Sequence, residues 1–190
     1  MVKLTRIYTR TGDDGTTGFG GRGRISKNDL RLVAYADCDE ANSALGVVVA
    51  CGECEDEVVS TVRRVQNELF DVGADLCTPI EENPPYAQLR VLESQVRGLE
   101  VDIDRYNAVL APLSSFVLPG GTAPAAHLHV ARTVVRRAER STWLALEAHG
   151  DTMNPISATY LNRLSDLLFV LARYVNREVG DVLWEPGASR

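Results

Sequence analysis

The chain of 190 residues is 45% hydrophobic and 24% charged, a balance typical of one globular domain rather than of a disordered or fibrous protein. Its net charge of −6 argues against a general nucleic-acid binder, because such proteins present an excess of Lys and Arg to phosphate. The first residues lack the apolar core of a secretory signal, and no apolar run approaches the roughly 20 residues of a membrane span. We therefore expect a cytoplasmic protein with no nucleic-acid or membrane partner.

The first 25 residues are predicted to form a loop. The stretch from Thr11 to Gly21 is rich in Thr, Asp and Gly, a composition typical of turns, and shows little periodicity. Glycines allow backbone N–H groups to converge on an anion, while threonine hydroxyls and Lys27 would add donors and positive charge. A disordered N-terminal arm would have the same composition, so the residues alone leave both interpretations open.

Three segments with helical periodicity follow this loop. Ser26 to Asp29 has the form of a capping box, and a rough apolar stripe then predicts a first helix that ends near Gly52; the stripe comprises Leu32, Ala36, Leu45 and Val49. A second helix is predicted by the regular stripe Val58, Val62, Val65, Leu69, Val72 and Leu76. The same spacing predicts a third helix with Leu89, Leu92, Val96, Leu99 and Ile103.

Two further helices have recognisable ends. Thr122 is the predicted N-cap of a fourth helix that Gly150 ends, with Leu128, Ala131, Val135 and Ala138 on one face. Asn154 and Pro155 begin a fifth helix that runs to about Gly180, with a stripe of Tyr160, Leu164, Leu167 and Leu171. No strand-rich segment is present, so the sequence predicts an all-α, up-and-down five-helix bundle over residues 26–180. We expect one domain, 1–190, in which residues 181–190 form a tail.

The most distinctive charged pattern lies in the fourth helix. Arg132, Arg136 and Arg140 fall at successive steps of four, so they lie on one ridge. Like charges at this spacing repel by a few tenths of a kcal/mol per pair, and guanidinium groups suit phosphate and carboxylate oxygens. An anion-binding face is one interpretation, and a solvated, salt-bridged face is the other.

Several common kinds of site are absent or incomplete. The phosphate-binding pattern G-x-x-x-x-G-K-[ST] does not occur, and the G-x-G-x-x-G match at Gly18–Gly23 lacks a βαβ context. The three histidines, His127, His129 and His149, do not form the Glu-x-x-His arrangement of di-iron bundles and are predicted to lie at a surface or interface. Cys51 and Cys54 have the spacing of half a zinc site, but no second half follows. No protein-held metal site is predicted.

Five short blocks in a fixed order resemble a known family. They are Thr9-Arg10-Thr11-Gly12-Asp13 with Lys27, Asp39-Glu40, the segment from Phe116 to Gly121, the segment from Arg136 to Arg140, and the segment from Leu161 to Asp166. Together they are similar to the PduO-type ATP:cob(I)alamin adenosyltransferases, over about residues 7 to 175. The resemblance implies a five-helix bundle that assembles as a homotrimer, with ATP bound at the subunit interfaces.

The resemblance also implies roles for individual residues. The triphosphate and its Mg²⁺ would be wrapped by Thr9, Arg10, Thr11, Gly12, Thr17, Gly18 and Lys27. The nucleotide site would be completed by Arg136, Arg137, Ala138, Glu139, Arg140 and Asn162. On the corrinoid side, Asp39 would pair across the interface with Arg132. Where Gly or another small residue and Thr are expected around Ala36-Asp37-Cys38, this chain has an additional acid, so Asp37 remains a second candidate for that pair.

The reaction implied is attack of Co(I) of cobalamin on the 5′ carbon of ATP, which releases triphosphate. Phe116 would exclude the lower axial ligand of the cobalt and leave a four-coordinate Co(II) that is easier to reduce; a buried aromatic that anchors a loop is the other interpretation. A corrinoid reductase and an adenosylcobalamin-dependent enzyme are possible partners. Two other functions remain open, a non-catalytic ATP-gated carrier of adenosylcobalamin and a purely structural helical assembly.

Overall fold

A computed structural model describes residues 7–20, 23–84 and 86–188 and shows five α-helices. They are α1 (Leu30–Cys51), α2 (Asp56–Leu76), α3 (Glu93–Asn107), α4 (Ala123–His149) and α5 (Ile156–Val175). The prediction of a five-helix fold is confirmed. Within the described ranges, no helix combines the length and the apolarity that crossing a membrane requires.

Three helix ends differ from the sequence predictions. α1 is capped by Asp29, whose carboxylate accepts a hydrogen bond from the Arg31 N–H at 3.0 Å, so Ser26 is not the cap. Leu89 lies before α3, which begins at Glu93 after its N-cap Leu92. α5 ends at Val175 rather than near Gly180, because Asn176 turns the chain and holds the Gly180 carbonyl with its side-chain amide.

The prediction that the N-terminal region is only a loop is wrong. Thr16–Gly18 (β1) and Arg24–Ser26 (β2) form a small antiparallel sheet in which Thr17 lies opposite Ile25. Phe19, directly after β1, is 5% exposed and anchors this hairpin to the bundle. Three-residue strands are too short to show an alternating pattern, which is why the sequence did not reveal them.

The helices do not simply pack in chain order. α1 packs mainly against α4 and also against α2, while α5 packs against α4 and α3. Side chains bridge α2 to α3, where the Thr61 and Tyr106 hydroxyls lie 2.9 Å apart and the Tyr106 ring is buried. α4 and α5 are consequently central in the bundle, and each keeps one face exposed to solvent.

The predicted apolar faces are confirmed for α2, α4 and α5, whose stripes are buried throughout. In α1 the predicted face is partly wrong, because Ala36 is exposed and the buried positions are Ala34, Cys38, Ala41, Leu45 and Val48. The prediction that all three histidines lie at a surface or interface is also wrong. His129 is 4% exposed and packs against the Phe169 ring, with 6.3 Å between the ring centroids.

Candidate functional site

The N-terminal turn is held in an unusual backbone conformation. Arg10 has a positive φ of 61°, which is costly for a residue with a side chain and is often found at functional sites. The hydroxyls of Thr9 and Thr11 lie 2.9 Å apart on either side of it. All three residues are exposed. The turn therefore presents two hydroxyls and a guanidinium to the solvent.

Gly12 brings this turn close to Lys27, at the end of the hairpin. A Cβ added at Gly12 would lie 3.2 Å from the Lys27 ammonium nitrogen and 3.3 Å from the Thr16 carbonyl oxygen. Lys27 itself is tied down by its backbone N–H, which donates to the Gly15 carbonyl at 2.9 Å. The structure thus brings together the predicted residues Thr9, Arg10, Thr11, Gly12 and Lys27. This arrangement fits a polyanion.

Arg24 braces the turn from β2. Its Nε donates to the Thr16 hydroxyl at 2.8 Å, and its Nη2 donates to the carbonyl oxygens of Thr11 and Thr16. Thr16 in turn donates from its hydroxyl to the Asp14 carboxylate at 2.7 Å, which lowers the pKa of Asp14. The other two predicted residues of this region, Thr17 and Gly18, lie in β1.

The hairpin is fixed to the bundle by a cluster around Asp29. The Arg31 guanidinium lies 4.2 Å from the centre of the Phe19 ring and donates to both oxygens of Asp29, at 2.9 and 2.8 Å. His149, at the end of α4, approaches the same carboxylate at 3.4 Å. The hydrogen bonds from Arg31 lower the pKa of Asp29 to about 2. The predicted phosphate-binding turn is therefore anchored at its base.

The arginine ridge on α4 has two kinds of member. Arg136 and Arg140 are exposed and form no ion pair within the described residues. Arg132 is half-buried; burial and the neighbouring charge of Arg136 lower its pKa. Its buried Nε has no hydrogen-bond partner among the described residues. A half-buried guanidinium without a hydrogen-bond partner at Nε favours the binding of an anionic ligand, or of a carboxylate that does not belong to the same chain.

Arg137 is held differently from its neighbours. It forms ion pairs with Asp37 at 3.3 Å and with Glu40, both on α1, and these hydrogen bonds, chiefly the one to Glu40, raise its pKa. Asp37 also accepts a hydrogen bond from the Ser141 hydroxyl at 2.5 Å. Asp39, by contrast, is exposed and has no ion pair in the described parts of the chain. Of the two candidate acids, Asp37 is thus already paired within the chain, whereas Asp39 is not paired within the described ranges.

Two further residues that were predicted to bind the nucleotide differ in exposure, Asn162 and Ala138. Asn162 on α5 is exposed and donates to the Glu139 carboxylate at 3.1 Å, which joins the exposed faces of α4 and α5. The prediction that Ala138 contacts the nucleotide does not agree with its position. Ala138 is fully buried, and its carbonyl oxygen already accepts a hydrogen bond from the Thr142 hydroxyl. It packs in the core and presents no side-chain surface to a nucleotide.

A cavity of about 730 Å³ lies at the other end of the exposed face. Three parts of the chain line it: the segment 113–117, Arg132 and Phe169 from the two central helices, and Trp184 with Pro186 near the C-terminus. Its volume falls within the range of small-molecule sites. Phe116 is 77% exposed, so the interpretation of this ring as a buried anchor is wrong.

The C-terminal segment was the part of this site that sequence reasoning missed. Trp184 donates from its backbone N–H to the Phe116 carbonyl at 2.8 Å, and the two rings lie 5.9 Å apart at an angle of 56°. The Ser115 hydroxyl donates to the Trp184 carbonyl at 2.7 Å. Only the apolar run Val182-Leu183-Trp184 could have signalled a role, and no motif connects it to Phe116.

Within the described ranges, the two halves of the predicted site are not joined to each other by hydrogen bonds or ion pairs. Among the described residues, no hydrogen bond or ion pair joins the N-terminal turn to the exposed arginines of α4, and none joins Asp39 to Arg132. The same part of the chain contains no cluster of three His, Cys, Asp or Glu side chains that could hold a metal.

Comparisons with known proteins agree on one family. The family model described as cobalamin adenosyltransferase matches residues 7–175. A corrinoid adenosyltransferase of Mycobacterium tuberculosis is 58% identical over 189 residues, which cover 100% of this chain and 97% of that protein. A cobalamin adenosyltransferase of Cupriavidus metallidurans is 45% identical, with 96% of both chains covered.

Solved structures of the same kind share the fold. A phenylalanine-to-alanine variant of a PduO-type ATP:corrinoid adenosyltransferase from Lactobacillus reuteri, complexed with cobalamin and ATP, superposes with a TM-score of 0.87 at 36% identity. The match covers 95% of this chain and 99% of that one. An arginine-to-lysine variant complexed with ATP gives a TM-score of 0.82 at 37% identity, over 94% and 100% of the two chains.

Proposed function

Because the chain belongs to the cobalamin adenosyltransferase family, we propose that its N-terminal turn and the exposed arginines of α4 bind ATP and that the cavity beside Phe116 receives the corrinoid. The chain is an ATP:corrinoid adenosyltransferase, which transfers the 5′-deoxyadenosyl group of ATP to cobalt and releases triphosphate. The side chains of this protein must therefore hold both substrates, ATP and the corrinoid.

The reaction needs alignment and charge stabilisation more than it needs a side-chain base. Co(I) donates an electron pair to the 5′ carbon of ATP, the carbon–oxygen bond breaks, and the triphosphate leaves with that bonding pair. The cobalt becomes formally Co(III) as the carbon–cobalt bond forms. The protein therefore contributes by orienting cobalt toward carbon and by stabilising the negative charge on the departing group. This accounts for a site composed of Arg, Lys, Thr and Gly.

The N-terminal turn is proposed to hold the triphosphate. Gly12 allows the Lys27 ammonium group to approach the turn, in which the hydroxyls of Thr9 and Thr11 lie 2.9 Å apart. Mg²⁺ is usually held by substrate phosphates with few protein ligands, so a turn that offers threonine hydroxyls beside Lys27 fits a Mg²⁺–ATP complex. The ion would neutralise part of the triphosphate charge.

The cavity is proposed to take the corrin ring, and the exposure of Phe116 is the observation that carries this proposal. The ring is 77% exposed at the mouth of the cavity, and its ring contact is with Trp184, which lines the same cavity. Against the lower face of a corrin it would exclude a water or base ligand and leave Co(II) four-coordinate. The exposed ring of Trp184 provides a second apolar wall.

A complete site is proposed to form only in a homotrimer, where the turn of one subunit meets the α4 face of another. Two observations on the described residues support this. No hydrogen bond or ion pair joins the two halves, and neither Asp39 nor Arg132 has an ion pair. Native mass spectrometry would give the mass of three chains. A monomer that is fully active would contradict this part of the proposal.

We place the enzyme in the cytoplasm, where a reductase can supply Co(I) and an adenosylcobalamin-dependent enzyme can accept the product. The test of the function itself is anaerobic incubation with Mg²⁺–ATP and chemically reduced cobalamin. We expect the absorbance spectrum of adenosylcobalamin to develop together with one triphosphate per cobalt. Binding of both substrates without triphosphate release would instead identify a carrier.

A further inference from the structure

The two segments that form the cavity rim are both anchored to the C-terminal end of α5. The first, the Phe116 segment, comprises residues 111–118; the second, the tail segment, comprises residues 180–186. They pair with each other through the Leu118 N–H, which donates to the Val182 carbonyl at 2.8 Å, and through the bridge between Val117 and Leu183. This pairing alone is short, so something else must fix the pair to the bundle.

Arg173 holds both segments with one guanidinium group. It lies in the last turn of α5 and is only 7% exposed. Its Nη2 donates to the Ala111 carbonyl at 2.7 Å, and its Nε donates to the Asp181 carboxylate at 2.8 Å. The Asp181 side chain is itself only 16% exposed, so this ion pair is much less screened by water than a surface pair.

Asn176 makes a second and parallel connection one turn later. Its Oδ1 accepts from the Thr122 N–H at 3.0 Å, beyond the end of the Phe116 segment, and its Nδ2 donates to the Gly180 carbonyl at 2.7 Å, where the tail segment begins. Gly121 has a φ of 97°, and any side chain there would collide with the Asn176 amide. Each segment is thus tied to α5 at a defined point.

We propose that Arg173 and Asp181 are positioning residues for the corrinoid. They fix the paired Phe116 and tail segments, and with them the Phe116 and Trp184 walls of the cavity, to α5. Neither residue touches the reacting atoms. Asp181 lies outside the part of the chain that matches the family model, residues 7–175. The inference rests on the proposed function, because it assigns these residues to the corrinoid half of that site.

The consequence is a selective effect on one substrate. Loosening the ion pair lets the paired segments, with Phe116 and Trp184, move relative to α5, while the N-terminal turn and the exposed arginines of α4 are untouched. We expect the KM for cob(I)alamin to rise about tenfold, which corresponds to about 1.4 kcal/mol of binding free energy. The KM for ATP should stay at the parent value.

The experiment compares Asp181→Asn with a matched control. The asparagine keeps the size of the side chain and removes its charge, so the fold is retained. Asp102 is the control, because its side chain is 15% exposed and pairs with Arg64 at 2.5 Å between α2 and α3, outside the cavity. We expect Asp181→Asn to raise the KM for cob(I)alamin and Asp102→Asn to leave both KM values unchanged.

A fluorescence measurement reports the tail directly and does not depend on turnover. The chain has two tryptophans, so Trp143→Phe leaves Trp184 as the single tryptophan. In that background, Asp181→Asn should increase quenching of Trp184 by acrylamide, and Asp102→Asn should not. Arg173→Lys, which keeps the charge but loses the planar fork, should reproduce both effects of Asp181→Asn.

The outcomes separate this inference from the proposed function. A parent protein that forms no adenosylcobalamin would refute the function and this inference with it. An active parent in which Asp181→Asn leaves the KM for cob(I)alamin and the quenching of Trp184 unchanged would refute the inference alone. Equal rises in both KM values, or the same changes in Asp102→Asn, would also overturn it, because they would indicate general loosening of the fold.

Discussion

Replacing Phe116 by alanine tests whether this ring serves the corrinoid or the fold. The ring is 77% exposed, so only about a quarter of its roughly 200 Å² is buried, or about 45 Å². At about 25 cal/mol per Å², removing it should lower the free energy of unfolding by about 1 kcal/mol. Truncating a core phenylalanine would instead cost about 3–5 kcal/mol. Urea unfolding followed by far-UV circular dichroism distinguishes these values.

Activity should then depend on the oxidation state from which the reaction starts. If the ring removes the lower axial ligand before reduction, Phe116→Ala should lose only part of its rate with chemically prepared Co(I) but nearly all of it with Co(II) and a weak reductant. ATP binding should remain at the parent level. Equal losses from both starting states would refute the axial-ligand argument, and a stability loss above about 3 kcal/mol would show that the ring is structural after all.

Three other perturbations test the remaining parts of the site. Arg136→Ala and Asn162→Ala should each weaken ATP binding, measured by titration calorimetry, without altering the helical circular dichroism, because both side chains are exposed; unfolding would make them structural residues. For Asp39→Ala and Arg132→Ala, a pair across an interface predicts that the double variant loses much less corrinoid turnover than the sum of the single losses, whereas additive losses would mean that the two do not meet. The lowered pKa of Asp29, about 2 against an ordinary 3.8, means that its contribution to stability is present above pH 4 and is lost as the pH falls toward 2. The melting temperature of Asp29→Asn should therefore depend less on pH than that of the parent between pH 5 and 2, and identical profiles would exclude this contribution.

The helical part of the fold could be predicted because its signals are local. In α2, six apolar residues at helical spacing are all buried, and the same holds for the stripes of α4 and α5. The signal was weaker in α1, where small residues such as Ala34 and Ala41 carry the buried face and exposed Ala36 looks the same in sequence. The hairpin at the N-terminus was not predicted, since strands of three residues have almost no pattern of their own.

The candidate site was predicted by residue type more reliably than by partner. The arginines of α4 were evident in the sequence, yet two that are neighbours differ. Arg137 pairs with Asp37 on α1, whereas Arg136 forms no ion pair in the described ranges. Spacing along one helix cannot distinguish them, because the acid that holds Arg137 lies 100 residues away. The resemblance implied that Ala138 contacts the nucleotide, but its side chain is fully buried in the core.

The sequence by itself determined the number of helices, most of their buried faces and the family, because periodicity and short motifs are properties of neighbouring residues. The tertiary structure alone decided which helices pack together and what encloses the cavity. Ser115 and Trp184 are 69 positions apart and meet only because the chain returns from α5 to the Phe116 segment. Contacts over such a distance depend on how the whole bundle closes, and no local pattern of residue types encodes them.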